Sequence, residues 1–95
     1  MNWPEPWSPI ENPDEKRAME TELQREVKEG HPLFGIRGVA RGRRYDQDDV
    51  LFDLQDGSGR IAEVHLTYRE YNAPPFPWTC LFNNADDWAG SVETE

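Results

Sequence analysis

The chain has a single cysteine, Cys80, so it can form no intramolecular disulfide. It has no Cys-x-x-Cys pair and no cysteine–histidine cluster with zinc-ligand spacing, and its two histidines, His31 and His65, share no element. No metal and no cofactor is therefore expected. No segment approaches the length of an apolar membrane span. The N-terminus lacks the basic start and apolar run of a secretory signal, so a cytoplasmic location with no membrane partner is expected. Basic residues are scarce: 10 Lys and Arg stand against 19 Asp and Glu, a net charge of -9. Residues 72–95 hold four acids and no base, whereas residues 31–45 hold Arg37, Arg41, Arg43 and Arg44 and no acid. Such a chain repels nucleic acid and anionic membranes at long range, which argues against nucleic acid as a partner. A basic protein is the partner its charge favours, although acidic surfaces also serve solubility.

What is present is enough for one small domain of 95 residues. Four Trp, four Phe and three Tyr supply an aromatic-rich core in a chain only 36% hydrophobic. Residues 1–11 form an arm rich in proline and tryptophan. Pro4, Pro6 and Pro9 exclude a helix there, and Trp3 and Trp7 either cover an exposed sheet face or dock a partner. Residues 12–89 read as the domain, and residues 90–95 as a disordered acidic tail.

Asn12, Pro13 and Glu15 suit the cap and first turn of a helix, with a capping-box-like arrangement. Gly30 suits a left-handed C-cap, and Pro32 prevents continuation. Met19, Leu23 and Val27 give a narrow apolar stripe that should pack on a sheet. Residues 36–45 read as a strand, with Gly38 and Gly42 marking bulges or bends. Thr79 to Phe82 reads as a short further strand, and Asn84 as the cap of a last helical turn. The fold class is α+β: an N-terminal helix packed on an antiparallel sheet of three or four strands.

Between these elements lies a hairpin, residues 48–68, whose two alternating runs flank Gly57-Ser58-Gly59. A three-residue loop with Gly59 left-handed sets Asp56 opposite Arg60, Leu54 opposite Ala62, Phe52 opposite Val64 and Val50 opposite Leu66. That face is wholly apolar, whereas a two-residue loop sets Phe52 against Glu63. The other face sets Asp53 opposite Glu63 and Leu51 opposite His65. Arg41 and Arg43 alternate on the preceding strand and are expected on this same face.

His31-Pro32-Leu33-x-Gly35, Asp48-Asp49-Val50-Leu51-Phe52, Asp56-Gly57-Ser58-Gly59-Arg60, Val64-His65-Leu66-Thr67 and Pro77-Trp78-Thr79 occur in this order. In them the chain resembles a family of small bacterial proteins of unknown function, over about residues 12–90 by motif spacing. Tyr68 stands where that pattern has an aromatic, usually Trp. The resemblance implies a bacterial, cytosolic, single-domain protein and brings no catalytic residues with it.

Three functional readings follow. The preferred one is a non-enzymatic interaction protein, inhibitor- or immunity-like in one concrete form. It binds another protein through its acidic surface and the aromatic loop holding Phe76 and Trp78, residues that could instead cap the core. The second is an enzyme or small-ligand protein in which Asp53 or Glu63 orients His65 as a general base. It lacks an evident nucleophile, since Ser58 lies in the turn, Thr67 beyond His65, and Cys80 reads as core. Arg41, Arg43 and His65 are binding candidates on that same face, against a purely structural ion-pair network. The third is a homo-oligomer joined through an edge strand, so that the chain is a monomer or a weak homo-oligomer. His31 reads as a helix-end or turn residue.

Overall fold

The computed structural model describes residues 3–93, so Met1, Asn2, Thr94 and Glu95 of the arm and tail lie outside the described residues. In chain order the elements are β1 (Trp7–Pro9), α1 (Pro13–Glu26), β2 (Gly38–Arg44), β3 (Asp49–Leu54), β4 (Ile61–His65), β5 (Trp78–Phe82) and α2 (Ala85–Glu93). The strands form one antiparallel sheet in the order β1-β2-β3-β4-β5. The fold is α+β as expected, with one strand more than the sequence suggested. The extra strand comes from the arm, whose prolines leave it extended and whose Ser8 and Trp7 lie opposite Arg43 and Arg44.

Helix α1 starts as its residues dictate. The Asn12 carboxamide accepts from the N–H groups of Asp14 and Glu15, meeting two donors that the first turn leaves unpaired. Glu15 does not complete a capping box; its carboxylate bonds Arg43 of β2 at 3.1 Å. The helix ends at Glu26 rather than at Gly30. Gly30 does take a left-handed φ of 98°, but in the turn that follows. Leu23 and Val27 are buried against Phe52, Leu54, Ala62, Val64 and Leu66, with Met19 beside them. Burying a side chain such as Leu23 or Phe52 contributes about 1.5–3 kcal/mol. Gly38 permits this close approach: a Cβ there would stand 3.0 Å from Leu23 and 3.1 Å from Phe52.

The other sheet face has its own core. Leu51 and Ile61 pack with Trp7 and Trp88, joined by Trp3, Phe82, Ala85, Ala89 and Val92. Trp88 is fully buried and meets Trp7 edge-on at 5.1 Å and Trp3 at 5.6 Å. The arm thus covers a sheet face, the first of the two outcomes the sequence left open. Gly42 belongs to this arrangement, since a Cβ would fall 2.4 Å from the Trp3 ring. Helix α2 is longer than the single turn expected. It carries Gly90, Ser91 and Val92, so the tail expected from residue 90 is helical through Glu93. The physical reason lies in Ala85, Trp88, Ala89 and Val92, an i, i+3, i+4, i+7 stripe that finds Leu51 and Ile61 to cover. Asn84 caps the helix as expected, accepting from Asp87 N–H at 2.8 Å.

The hairpin register is corrected by two residues. Val50 faces Val64, Phe52 faces Ala62, and Leu54 N–H bonds to the Arg60 carbonyl, so the loop is Gln55 to Gly59 rather than Gly57 to Gly59. Gln55 leaves the ladder to bond Arg37 O at 2.8 Å. Asp56 accepts from Ser58 N–H and hydroxyl, and Ser58 Oγ accepts from Arg60 N–H, which stabilises the wider turn. A shift of two preserves every side-chain face, so the apolar surface forms as predicted with different partners. The Asp56–Arg60 ion pair survives within the loop.

Candidate functional site

The polar-face site expected around His65 is not assembled from the residues that suggested it. With the corrected register Asp53 lies opposite Ile61, Glu63 opposite Leu51, and His65 opposite Asp49. His65 Nδ1 lies 2.5 Å from Asp49 Oδ1, so Asp49 holds the ring rather than Asp53 or Glu63. Asp53 pairs with Arg41 at 3.2 Å, and Glu63 accepts from Trp88 Nε1 at 3.0 Å.

Arg41 and Arg43 do not share a face. The β2–β3 register slips between Ala40 and Gly42, so Arg41 occupies a bulge that reverses the alternation. Arg41 turns to Asp53, while Arg43 turns to Glu15 of α1 on the opposite side of the sheet. Arg44 pairs with Asp46 through two 3.0 Å bonds, which lower the Asp46 pKa. Three of the four arginines of residues 31–45 are therefore paired with carboxylates of the same chain. Cys80, expected in the core, is exposed on β5. Among the described residues no group of three His, Cys, Asp or Glu side chains is placed to hold a metal ion. No helix among them is long and apolar enough to cross a membrane.

What the fold does expose is an aromatic surface at the start of β5. Trp3 is half-buried and Trp7 and Trp88 are buried, yet Trp78 is 58% exposed and Phe76 45% exposed, with ring centroids 6.5 Å apart. Both rings line a cleft of about 230 Å³ with His65, Thr67, Asp48 and Arg69. Tyr68 and Tyr71 in the connection before β5 are also exposed.

Two buried polar side chains anchor the segment that carries these rings. Glu26, 1% exposed, ends α1 and reaches across to the residues after β4. Its Oε1 accepts from Thr67 N–H (2.8 Å), the Thr67 hydroxyl (3.0 Å) and Asn72 Nδ2 (3.3 Å), and its Oε2 accepts from Tyr68 N–H (2.9 Å). These bonds give the irregular backbone after Leu66 the acceptors it would otherwise lack. They also support Tyr68 at a left-handed φ of 57°. Burial, reinforced by a bond from Glu22, raises the Glu26 pKa; the Thr67 and Tyr68 donors oppose the rise. Glu22 itself is held below its ordinary value by its bond to Arg25.

His31 is the second anchor. It lies in the turn after α1, as expected, and is buried there. Leu33 N–H donates to Nδ1 at 3.0 Å, so the ring proton sits on Nε2, which donates to the Pro77 carbonyl at 2.9 Å. The Thr79 hydroxyl donates to the same carbonyl. Pro77 and the start of β5 are thereby fixed to the loop after α1, with Phe76 and Trp78 on either side of the anchored residue. Glu26, Asn72 and Asp49 escaped the sequence reading. For Glu26 a signal existed: it follows Leu23 by three positions and so falls on the apolar stripe, where a carboxylate needs partners.

Comparison of the chain with models of known protein families, with curated proteins and with solved structures gave no match in any of the three. Function rests on the site alone.

Proposed function

We propose that this protein is a non-enzymatic interaction module that binds another, basic protein through the Phe76–Trp78 surface and the acidic groups near it. The observation that carries the reading is the exposure of Trp78 on a fold that gathers its other described tryptophans into one cluster. A ring of that size in water is costly, and Trp and Tyr dominate the residues that anchor protein interfaces. The anchors beneath it lower the ordering cost that binding incurs, because Pro77 is already tied to His31 and Thr67 to Glu26. A net charge of -9 favours encounter with a basic partner. Blocking such a partner's own surface, as an inhibitor or immunity protein does, is one form this binding takes.

The test is retention of partners from a lysate of the source organism by tagged wild-type protein and by Trp78→Ser, at low and high salt. The reading expects one protein in stoichiometric amount with the wild type, weakened at high salt and lost with Trp78→Ser. Retention indifferent to the substitution contradicts it.

A further inference from the structure

The two edges of the sheet differ in a way that bears on how a partner docks. Exposed edge strands offer unpaired main-chain groups, and natural proteins blunt them with proline, charge, brevity or bulges. Strand β1 is blunted: it has three residues and ends in Pro9. Strand β5, Trp-Thr-Cys-Leu-Phe, has five residues, no proline, no charge and no bulge in its pairing with β4. Among the described residues no strand lies beyond it.

The register identifies its free groups. Leu54 N–H bonds to Arg60 O and Leu66 N–H to Asp48 O, so the even-numbered residues along β4 direct their main chain at β3. The odd-numbered Ile61, Glu63 and His65 then direct theirs at β5, where their partners are Phe82, Cys80 and Trp78. Antiparallel alternation leaves the N–H and C=O of Thr79 and Leu81 pointing away from the sheet. Trp78, Cys80 and Leu81 are exposed along this edge.

Carboxylates bracket the strand. Asp86 and Asp87 stand in the first turn of α2, just past its C-terminal end, and Asp48 lies in the cleft beside Trp78 at the other. Besides His65, which Asp49 holds, Arg69 is the one basic side chain lining that cleft, and residues 72–95 contain no Lys, Arg or His. A second copy of this chain is a poor occupant. Antiparallel pairing of two β5 strands would bring Asp86 and Asp87 of one copy toward Asp48 of the other, between molecules of charge -9.

We propose that the β5 edge is a strand-addition site for an extended, basic segment of another protein. The segment bonds the main chain of Thr79 and Leu81, packs apolar residues by Trp78 and Leu81, and sets Lys or Arg near Asp48 and the Asp86–Asp87 pair. The proposal rests on the reading of Phe76 and Trp78 as a protein-binding surface and specifies the partner and its mode.

Random peptides about a dozen residues long, displayed and selected on the full chain, test it, followed by amide hydrogen exchange of the best binder's complex. The expected peptides carry β-branched or aromatic residues at the positions beside Trp78 and Leu81, with Lys or Arg toward their two ends, and binding weakens with salt. The Thr79 and Leu81 amides slow at least about tenfold in the complex. Leu81→Pro, which removes an outward N–H at an edge where proline is tolerated, abolishes binding. The exchange readout on unmodified protein decides the matter should that variant fold poorly. Acidic or neutral peptides, unchanged exchange at Thr79 and Leu81, or no recovered peptide overturn strand addition. Peptides that need Trp78 yet leave those amides unchanged overturn strand addition and leave the aromatic surface standing. Peptides indifferent to Trp78→Ser count against both.

Discussion

Glu26, the last residue of α1, accepts a 2.8 Å hydrogen bond from the backbone N–H of Thr67, 41 positions further along the chain. The bond ties the helix to the connection that leads into β5, and so links the first half of the chain to the exposed aromatic surface. Replacing Glu26 by Ala leaves the Thr67 and Tyr68 N–H groups without their acceptor. We expect a loss of about 2–4 kcal/mol in urea denaturation. A loss below about 0.5 kcal/mol would show that these donors find other partners.

The same carboxyl predicts a pH dependence. Its pKa in the folded protein is raised, burial being the first cause. A raised folded value means that the native state holds the proton more tightly than the unfolded chain. This contribution is fully present below the ordinary glutamate value of 4.5 and is lost as pH rises through the folded value. The stability of wild type relative to Glu26→Gln should therefore fall across that window. Parallel pH profiles of the two proteins contradict the assignment.

The tryptophan cluster makes α2 part of the fold. Trp88 is fully buried against Trp7 and Trp3 and donates its indole N–H to Glu63. Trp88→Ala should cost about 3–5 kcal/mol. Gly42→Ala should displace Trp3, whose ring lies 2.4 Å from the added methyl position, at about 1–3 kcal/mol. Thermal or urea unfolding checks both, and near-wild-type stability in Trp88→Ala removes α2 from the folded unit.

In the hairpin loop Asp56 is held at a pKa of about 2, first by the Ser58 hydroxyl, then by Ser58 N–H and Arg60. A lowered folded value gives stability that is present above 3.8 and lost as pH falls toward about 2. Carbon-detected NMR titration should find Asp56 titrating well below 3.8, and Ser58→Ala should return it toward that value. An unmoved Asp56 in that variant assigns the effect to the backbone and Arg60 instead.

Patterns of local origin were legible in the sequence. The alternation in Val50-Leu51-Phe52-Asp53-Leu54 and Ile61-Ala62-Glu63-Val64 assigns both faces, because side-chain direction depends only on parity. The Asn12 and Asn84 caps need only their own following turns. The register was not legible, since Gln55 leaves the ladder for Arg37, a contact the hairpin alone does not contain. The Arg41 bulge likewise separated Arg41 from Arg43, which strict alternation puts together. Val92 and Trp88 read as tail and last turn because their partners, Leu51 and Ile61, lie on other strands. The site was half legible. Phe76 and Trp78 stood out as aromatics among prolines and Glu26 lay on the apolar stripe of α1, but the partners of Asp49, Glu26 and His31 became visible only once distant segments met.

The central claim is that Trp78 is exposed because a partner covers it. The most direct measurement is calorimetric titration of the retained partner into wild type and Trp78→Ser, paired with thermal melts of both. The account predicts melting midpoints that agree, since an exposed ring contributes little to folding. It predicts affinity at least about tenfold weaker in the variant. Equal affinity in two equally stable proteins contradicts it.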